Sequence, residues 1–271
     1  MEIMNRKIGF IGCGNMAKAM IGGMVESKFA SPEQIYASNR SLPNLEEVNQ
    51  KYGVQVTQDN LEVAKQCEIL FLAVKPKFYP AVIEQIKDSV HDNAMIIMIA
   101  AGQTIEQNEQ RFGKKMKMVR SMPNTPSLVG EGMTGVSIND LITEEEKQLI
   151  QSLFECFGRV EFLSEDLMDA VSGVSGASPA YGYMFIEALA DGAVQQGIPR
   201  KQAYVFAAQA LLGAAKMVLE TDLHPGELKD QVCSPGGATI EAVAKLEETG
   251  FRSSVNQAVH ACTEKSKRMS K

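Results

Sequence analysis

The chain has 271 residues with 27 basic and 33 acidic side chains, a net charge of −6, and no Lys/Arg run longer than two. That balance argues against nucleic acid or an anionic membrane as the main partner, and the length allows one large domain or two modest ones. The five cysteines are odd in number, widely spaced and without a CxxC pair. They read as reduced thiols of a cytoplasmic protein, with no metal site expected.

The few residues before Lys7 are too short for a signal peptide. Apolar Ile8–Ile11 is the first strand, followed by a glycine turn and a helix from Met16 to Ser27. Strand and helix then alternate: strands at 34–38, 54–56, 68–74 and 94–99, helices at 45–52, 60–66 and 80–90. Further strands are expected at 117–120 and 135–138, and Thr143 followed by Glu144, Glu145 and Glu146 marks a helix start. Continuous apolar strands between helices belong to a parallel sheet covered on both faces. Residues 1–165 therefore form an α/β, doubly wound domain of the Rossmann, dinucleotide-binding type.

Residues 166–271 change character to an all-α domain. Ser178-Pro179, Pro199-Arg200 and Gly237 start helices, and Gly197, Pro225 and Gly250 punctuate them. The stretch Val205–Leu219 is interrupted by Gln209 and Lys216, and is expected to be a buried helix rather than a membrane anchor. The helices at 180–196 and 201–220 are apolar on more than one face, more than so small a domain can bury alone. Homodimerisation through these helices follows, and a further assembly of dimers stays open.

Gly12-Cys13-Gly14-Asn15-Met16-Ala17 is a G-x-G-x-x-A turn between the first strand and the first helix. Gly12 permits the tight turn, Gly14 lets a pyrophosphate approach the backbone, and Ala17 allows close helix–strand packing. The second strand ends in Ser38, Asn39 and Arg40 with no acidic residue for a ribose 2′-hydroxyl. A guanidinium with Ser and Asn suits a 2′-phosphate, which favours NADP; the competing reading leaves Arg40 facing solvent. Ala73-Val74-Lys75-Pro76, Ala100-Ala101-Gly102 and Met122-Pro123-Asn124-Thr125-Pro126 follow three strands at the ligand-binding edge and fit a nicotinamide site. His91 and His260 read as surface or packing residues, and His224 before Pro225 as a cap.

Near the C-terminus, Cys233-Ser234-Pro235-Gly236-Gly237-Ala238-Thr239 runs into an amphipathic helix. Helix-initial N–H groups lack intrahelical partners, and adjacent glycines expose them to a small anion such as a carboxylate. The bland alternative is an ordinary Pro-Gly-Gly turn.

Together these motifs resemble the pyrroline-5-carboxylate reductase family over essentially the whole chain. The most specific match is Leu228 to Thr239, supported by Gly9–Ala17, Phe71–Pro76, Ala100–Gly102, Met122–Pro126 and Gly176–Tyr181. The resemblance implies NADPH-dependent reduction of 1-pyrroline-5-carboxylate to L-proline, the last step of proline biosynthesis, with NAD open as a second cofactor. It places the substrate carboxylate on the Gly236 and Gly237 N–H groups with Ser234 assisting, and the ring nitrogen on Thr239. It puts Asn60 near the adenosine ribose and Lys75 and Pro76 at the nicotinamide end, with Ala73, Val74, Ala101 and Gly102 beside them. The substrate pocket is then expected where the helical half meets the nucleotide domain. Cys233 departs from the Ser or other small residue of many relatives. A related imine reductase, or a β-hydroxyacid dehydrogenase using Lys201 or Lys216, is the alternative enzyme; neither lysine lies in a recognisable motif. A non-catalytic NADP-binding regulator would be expected to lose the hydroxyls of Ser234 and Thr239, and both are present.

Overall fold

The structure is a computed structural model that describes residues 6–269. Its chain divides into two compact units, one running to Ala177 and rejoined from His260, the other Ser178–Val259.

The first unit alternates strand and helix as follows: β1 Ile8–Ile11, α1 Asn15–Glu26, β2 Ile35–Ser38, α2 Leu42–Tyr52, β3 Gln55–Thr57, α3 Asn60–Gln66, β4 Ile69–Leu72, α4 Tyr79–Ile86, β5 Met95–Met98, α5 Ile105–Phe112 and β6 Lys117–Met122. It continues with β7 Gly132–Ile138, α6 Glu144–Glu155, β8 Gly158–Phe162 and α7 Met168–Val171. The eight strands form one sheet in the order β3-β2-β1-β4-β5-β6-β7-β8. The first six are parallel, β7 runs antiparallel to β6, and β8 runs parallel to β7.

Period-two alternation along wholly buried strands explains the two-sided core. Phe10, Ile69, Phe71 and Ile97 point into one layer with α1 and α6, while Leu70, Leu72, Ile96 and Met98 point into the other with α3 and α4. Phe10 and Phe71 stack with centroids 4.5 Å apart, tying β1 to β4 at the centre of the sheet. The chain goes outward from β1 to β3 on one side and restarts at β4 on the other. That reversal opens a crevice at the carboxyl ends of β1 and β4.

Two elements lie outside the sequence reading, α5 and β8. The segment after residue 165 is also tied to the sheet: Arg120 of β6 holds Asp169 at 3.1 Å, and Asn124 Nδ2 donates to the Ser175 carbonyl at 3.0 Å. A π-helical turn, Ser172–Gly176, follows α7.

The second unit contains α8 Ser178–Gln195, α9 Arg200–Thr221, α10 Pro225–Val232, α11 Ala238–Glu248 and the start of α12 Phe251–Met269. The last turns of α12 belong to the first unit, where Ser266 Oγ donates to Asp169 Oδ1 at 2.7 Å. In the chain by itself α9 is not the buried helix expected from its composition: only Ala203 and Ala207 are buried along it. The chain supplies too few apolar layers to cover a helix that is apolar nearly all round. Val205 and Phe206 are each 66% exposed and Met184 of α8 is 69% exposed. By length and composition α9 is one helix long and apolar enough to cross a membrane, with mean hydropathy 1.3.

Candidate active site

A cleft of about 550 Å³ opens at the crevice between β1 and β4. Gly12 turns the chain there with φ +100°, and its N–H donates to the Ser38 carbonyl at 2.8 Å. A Cβ at Gly12 would fall 2.5 Å from the Ala73 carbonyl oxygen, so only glycine fits. Gly14 is different. It caps α1 in extended conformation, no side chain caps that terminus, and no acidic residue occupies its first turn. A Cβ at Gly14 would meet nothing within 4 Å, so its missing side chain leaves open ground in front of unpartnered helix amides. The cleft thus has the cradle that a pyrophosphate requires. Ala17 is buried in the core beneath α1, in the packing role its place in the motif implies.

The far side of the cleft is built from the ends of β2 and β4. Asn39, Arg40, Asn60, Ala73, Val74 and Lys75 line it, as do Lys77, Phe78 and Gln85. Ser38 is fully buried instead; its hydroxyl donates to Asn60 Oδ1 at 2.7 Å. Asn60 Nδ2 in turn donates to Gln85 Oε1 at 2.9 Å, so the amide is fixed at both ends. The Asn39 amide donates to the Ser41 hydroxyl at 2.9 Å and shapes the turn after β2. Among the described residues, three cations, Arg40, Lys75 and Lys77, border the cleft and no carboxylate does. The charge pattern suits a polyanionic ligand carrying more than a pyrophosphate.

Cys13 lines the same cleft but is no nucleophile: burial pushes its thiol up to about 11. Asn15 opens onto a separate cleft beside α1 and α2, and Met16 packs against the core. Pro76 starts a short 3₁₀ turn. The turn containing Ala101 and Gly102 does not line the cleft, and a Cβ at Gly102 would fall 2.9 Å from the Met269 carbonyl. Asn124 acts as a clamp, accepting the Met133 N–H at 2.9 Å while holding Ser175. Lys77, Phe78 and Gln85 escaped the sequence reading. Phe78, at the start of α4, and Ala81, Val82 and Gln85 within it share one helical face in the cleft wall, a spacing that marks Phe78 and Gln85 but not Lys77.

In the second unit, Ser234 to Gly237 form a turn closed by the Gly237 N–H donating to the Ser234 carbonyl at 3.0 Å. Pro235 presets the second position and Gly236, at φ +67°, the third, the pattern of a type II turn. A Cβ on Gly237 would collide with the Ser234 hydroxyl, whereas one on Gly236 would meet nothing within 4 Å. Of the two glycine amides, that of Gly237 is thus already engaged by the turn. Gly237 then starts α11 with no side-chain cap, and Thr239 stands exposed in its first turn. His224 Nδ1 accepts the Gly226 N–H at 3.0 Å, a capping role. Among the described residues, no group of three or more His, Cys, Asp or Glu side chains is placed to hold a metal ion.

A doubly wound sheet with a glycine turn and a cationic cleft at its switch point defines a dinucleotide-binding protein of the Rossmann class. Residues 7–102 match the family model described as NADP oxidoreductase, coenzyme F420-dependent, and residues 165–269 match the one described as pyrroline-5-carboxylate reductase dimerisation. The chain is 49% identical to the pyrroline-5-carboxylate reductase of Escherichia coli K12, across 99% of this chain and 100% of that one. A solved pyrroline-5-carboxylate reductase from Coxiella burnetii superposes with TM-score 0.91 at 37% identity, covering 98% of this chain and 99% of that one. One from Plasmodium falciparum, solved with NADP bound, gives 0.90 at 33% identity, with the same coverage of each chain. The chain belongs to the pyrroline-5-carboxylate reductase family.

Proposed function

We propose that this protein reduces 1-pyrroline-5-carboxylate to L-proline with NADPH, the final step of proline biosynthesis, in the cytoplasm. The observation that carries the NADPH reading is the cleft bordered by Arg40, Lys75 and Lys77 without a carboxylate, beneath the uncapped start of α1. An acidic residue bonding a ribose 2′-hydroxyl would mark an NAD site, and none stands there.

The chain's own residues divide the work. Gly12 and Gly14 hold the backbone of the pyrophosphate cradle, with Asn15 and Met16 continuing into α1. Asn39 and Arg40 meet the 2′-phosphate, and Ser38 sets the amide of Asn60 that faces the ribose. Ala73, Val74, Lys75 and Pro76 border the nicotinamide end, while Ala101 and Gly102, expected beside them, stand in a turn outside the cleft wall. NADPH, when bound, supplies the hydride that reduces the C=N carbon of the substrate.

In the helical unit the Ser234–Thr239 loop binds the substrate. The Gly236 N–H, the Ser234 hydroxyl and the first amides of α11 receive the carboxylate; the Gly237 amide joins them only by sharing its turn hydrogen bond. The Thr239 hydroxyl holds the ring nitrogen. A cyclic imine is basic enough to arrive protonated, so the nitrogen already carries the proton that proline keeps, and positioning supplies most of the rate. Residues 1–165 act as the cofactor domain and 166–271 as the substrate and dimerisation domain. The exposed apolar faces of α8 and α9 support homodimerisation through the helical half, with dimers able to assemble further.

Steady-state NADPH oxidation with pyrroline-5-carboxylate, run beside a panel of 2- and 3-keto acids, tests this reading. Turnover on the imine substrate is expected; turnover on keto acids alone overturns it.

A further inference from the structure

Two side chains in the cleft belong to no sequence motif. Lys77 and Phe78 follow Pro76 in the short turn between β4 and α4, and both line the cleft. The half-buried Phe78 ring carries two cations. The Arg40 guanidinium carbon lies 4.7 Å from the ring centroid, and Lys77 Nζ lies 5.1 Å from it. Arg40 reaches the ring from the end of β2, and its own carbonyl is pinned by the Gln58 amide at 2.8 Å. An aromatic face holds a cation through its quadrupole without cancelling the charge. A carboxylate partner would hold Arg40 equally well but would neutralise it. Phe78 therefore contacts both cations while leaving their charge undiminished, in a cleft whose wall, among the described residues, has no carboxylate.

Resting on the NADPH reading above, we infer that Arg40, Phe78 and Lys77 act as one recognition unit for the cofactor's 2′-phosphate. Lys77 is a specificity-determining contact, and Phe78 is a positioning residue that acts through Arg40 and Lys77. A phosphate monoester near neutral pH carries close to two negative charges, which matches two cations better than one. The 2′-hydroxyl of NADH offers no charge. Both cations therefore add to NADPH affinity while adding little to NADH affinity.

The test is calorimetric titration of the full-length protein with NADP⁺, NAD⁺ and adenosine 2′,5′-bisphosphate. Lys77→Gln is expected to weaken NADP⁺ and the bisphosphate about tenfold, with NAD⁺ affinity changed by no more than about twofold. Phe78→Leu keeps the apolar bulk and removes the π face, and is expected to weaken NADP⁺ about threefold. Phe78→Tyr, which keeps the face, should restore NADP⁺ affinity to within about twofold of the parent. Equal weakening of NADP⁺ and NAD⁺ by these variants, or unchanged NADP⁺ affinity in both Lys77→Gln and Phe78→Leu, overturns the inference. Failure of the unmutated protein to bind NADP⁺ would instead remove the NADPH reading on which it rests.

Discussion

Ser38 holds Asn60 in place: its hydroxyl, fully buried at the end of β2, donates to Asn60 Oδ1 at 2.7 Å. Because the amide's other end is bonded to Gln85, its orientation toward the cleft is fixed before any ligand arrives. Ser38→Ala removes one donor and frees the amide to rotate. We expect KM for NADPH to rise about threefold to tenfold with kcat little changed, and stability to fall by about 1 kcal/mol. Equal losses in kcat and kcat/KM would place Ser38 in the chemical step and contradict the positioning role.

Gly12 and Gly14 should separate folding from binding. A methyl at Gly12 strikes the Ala73 backbone at φ +100°, so Gly12→Ala should destabilise by roughly 2 kcal/mol or more. At Gly14 the methyl enters open cleft, so Gly14→Ala should lower Tm by only a few degrees, while weakening NADP⁺ at least about tenfold. Thermal melts beside NADP⁺ titrations check both. Identical behaviour of the two variants would contradict the division.

Glu146 gives a pH signature. It completes the capping box of α6 by accepting the Thr143 N–H at 3.1 Å, and its other oxygen meets Lys117 Nζ at 2.6 Å. Burial raises the carboxyl's pKa, but Lys117 and the Thr143 amide outweigh burial and hold it below its ordinary value. A native carboxyl more acidic than the unfolded one stabilises the fold above the ordinary carboxylate range and loses that contribution as pH falls through it. Glu146→Gln should therefore cost about 1 kcal/mol at neutral pH, and the Tm gap should narrow toward about pH 3. A gap that is constant with pH would assign the effect to packing instead.

Phe206 tests the helical unit. It is 66% exposed on α9 in the single chain. Phe206→Glu should shift the protein from dimer toward monomer in light scattering, because a charge on a buried apolar face costs several kcal/mol. A variant that dimerises as tightly as the parent would remove this face from the interface.

Much of this architecture is legible in the sequence for a simple reason: strands buried on both faces, such as Ile69–Leu72, are continuous apolar runs. The Gly12–Ala17 turn is equally plain, since its glycines answer backbone demands. Edge strand β8 is less so, because Gly158–Phe162 is half-exposed in alternation and short. The π-helical turn at Ser172–Gly176 is a matter of hydrogen-bond register, which leaves no mark on composition. In the cleft, Phe78 shares the helical spacing of Gln85, whereas Lys77 lies off it and is visible only because the fold brings the turn before α4 beside the end of β2. The glycine loop shows the opposite limit. Its residues are conspicuous, yet only the geometry shows that the Gly237 amide closes the turn while Gly236 sets its hand.

In the proposed reaction, Thr239 is the residue assigned to the ring nitrogen of the substrate. Thr239→Ala removes one hydroxyl from an exposed helix start, so folding should be unaffected while kcat/KM for pyrroline-5-carboxylate falls about tenfold to a hundredfold. Unchanged kinetics in a folded variant would remove Thr239 from the reaction.

The most direct measurement is product stoichiometry. The purified protein is incubated with NADPH and pyrroline-5-carboxylate, following NADPH oxidation by absorbance and proline by amino-acid analysis. The account predicts equimolar proline formation and NADPH consumption. NADPH binding with no proline formed would contradict it.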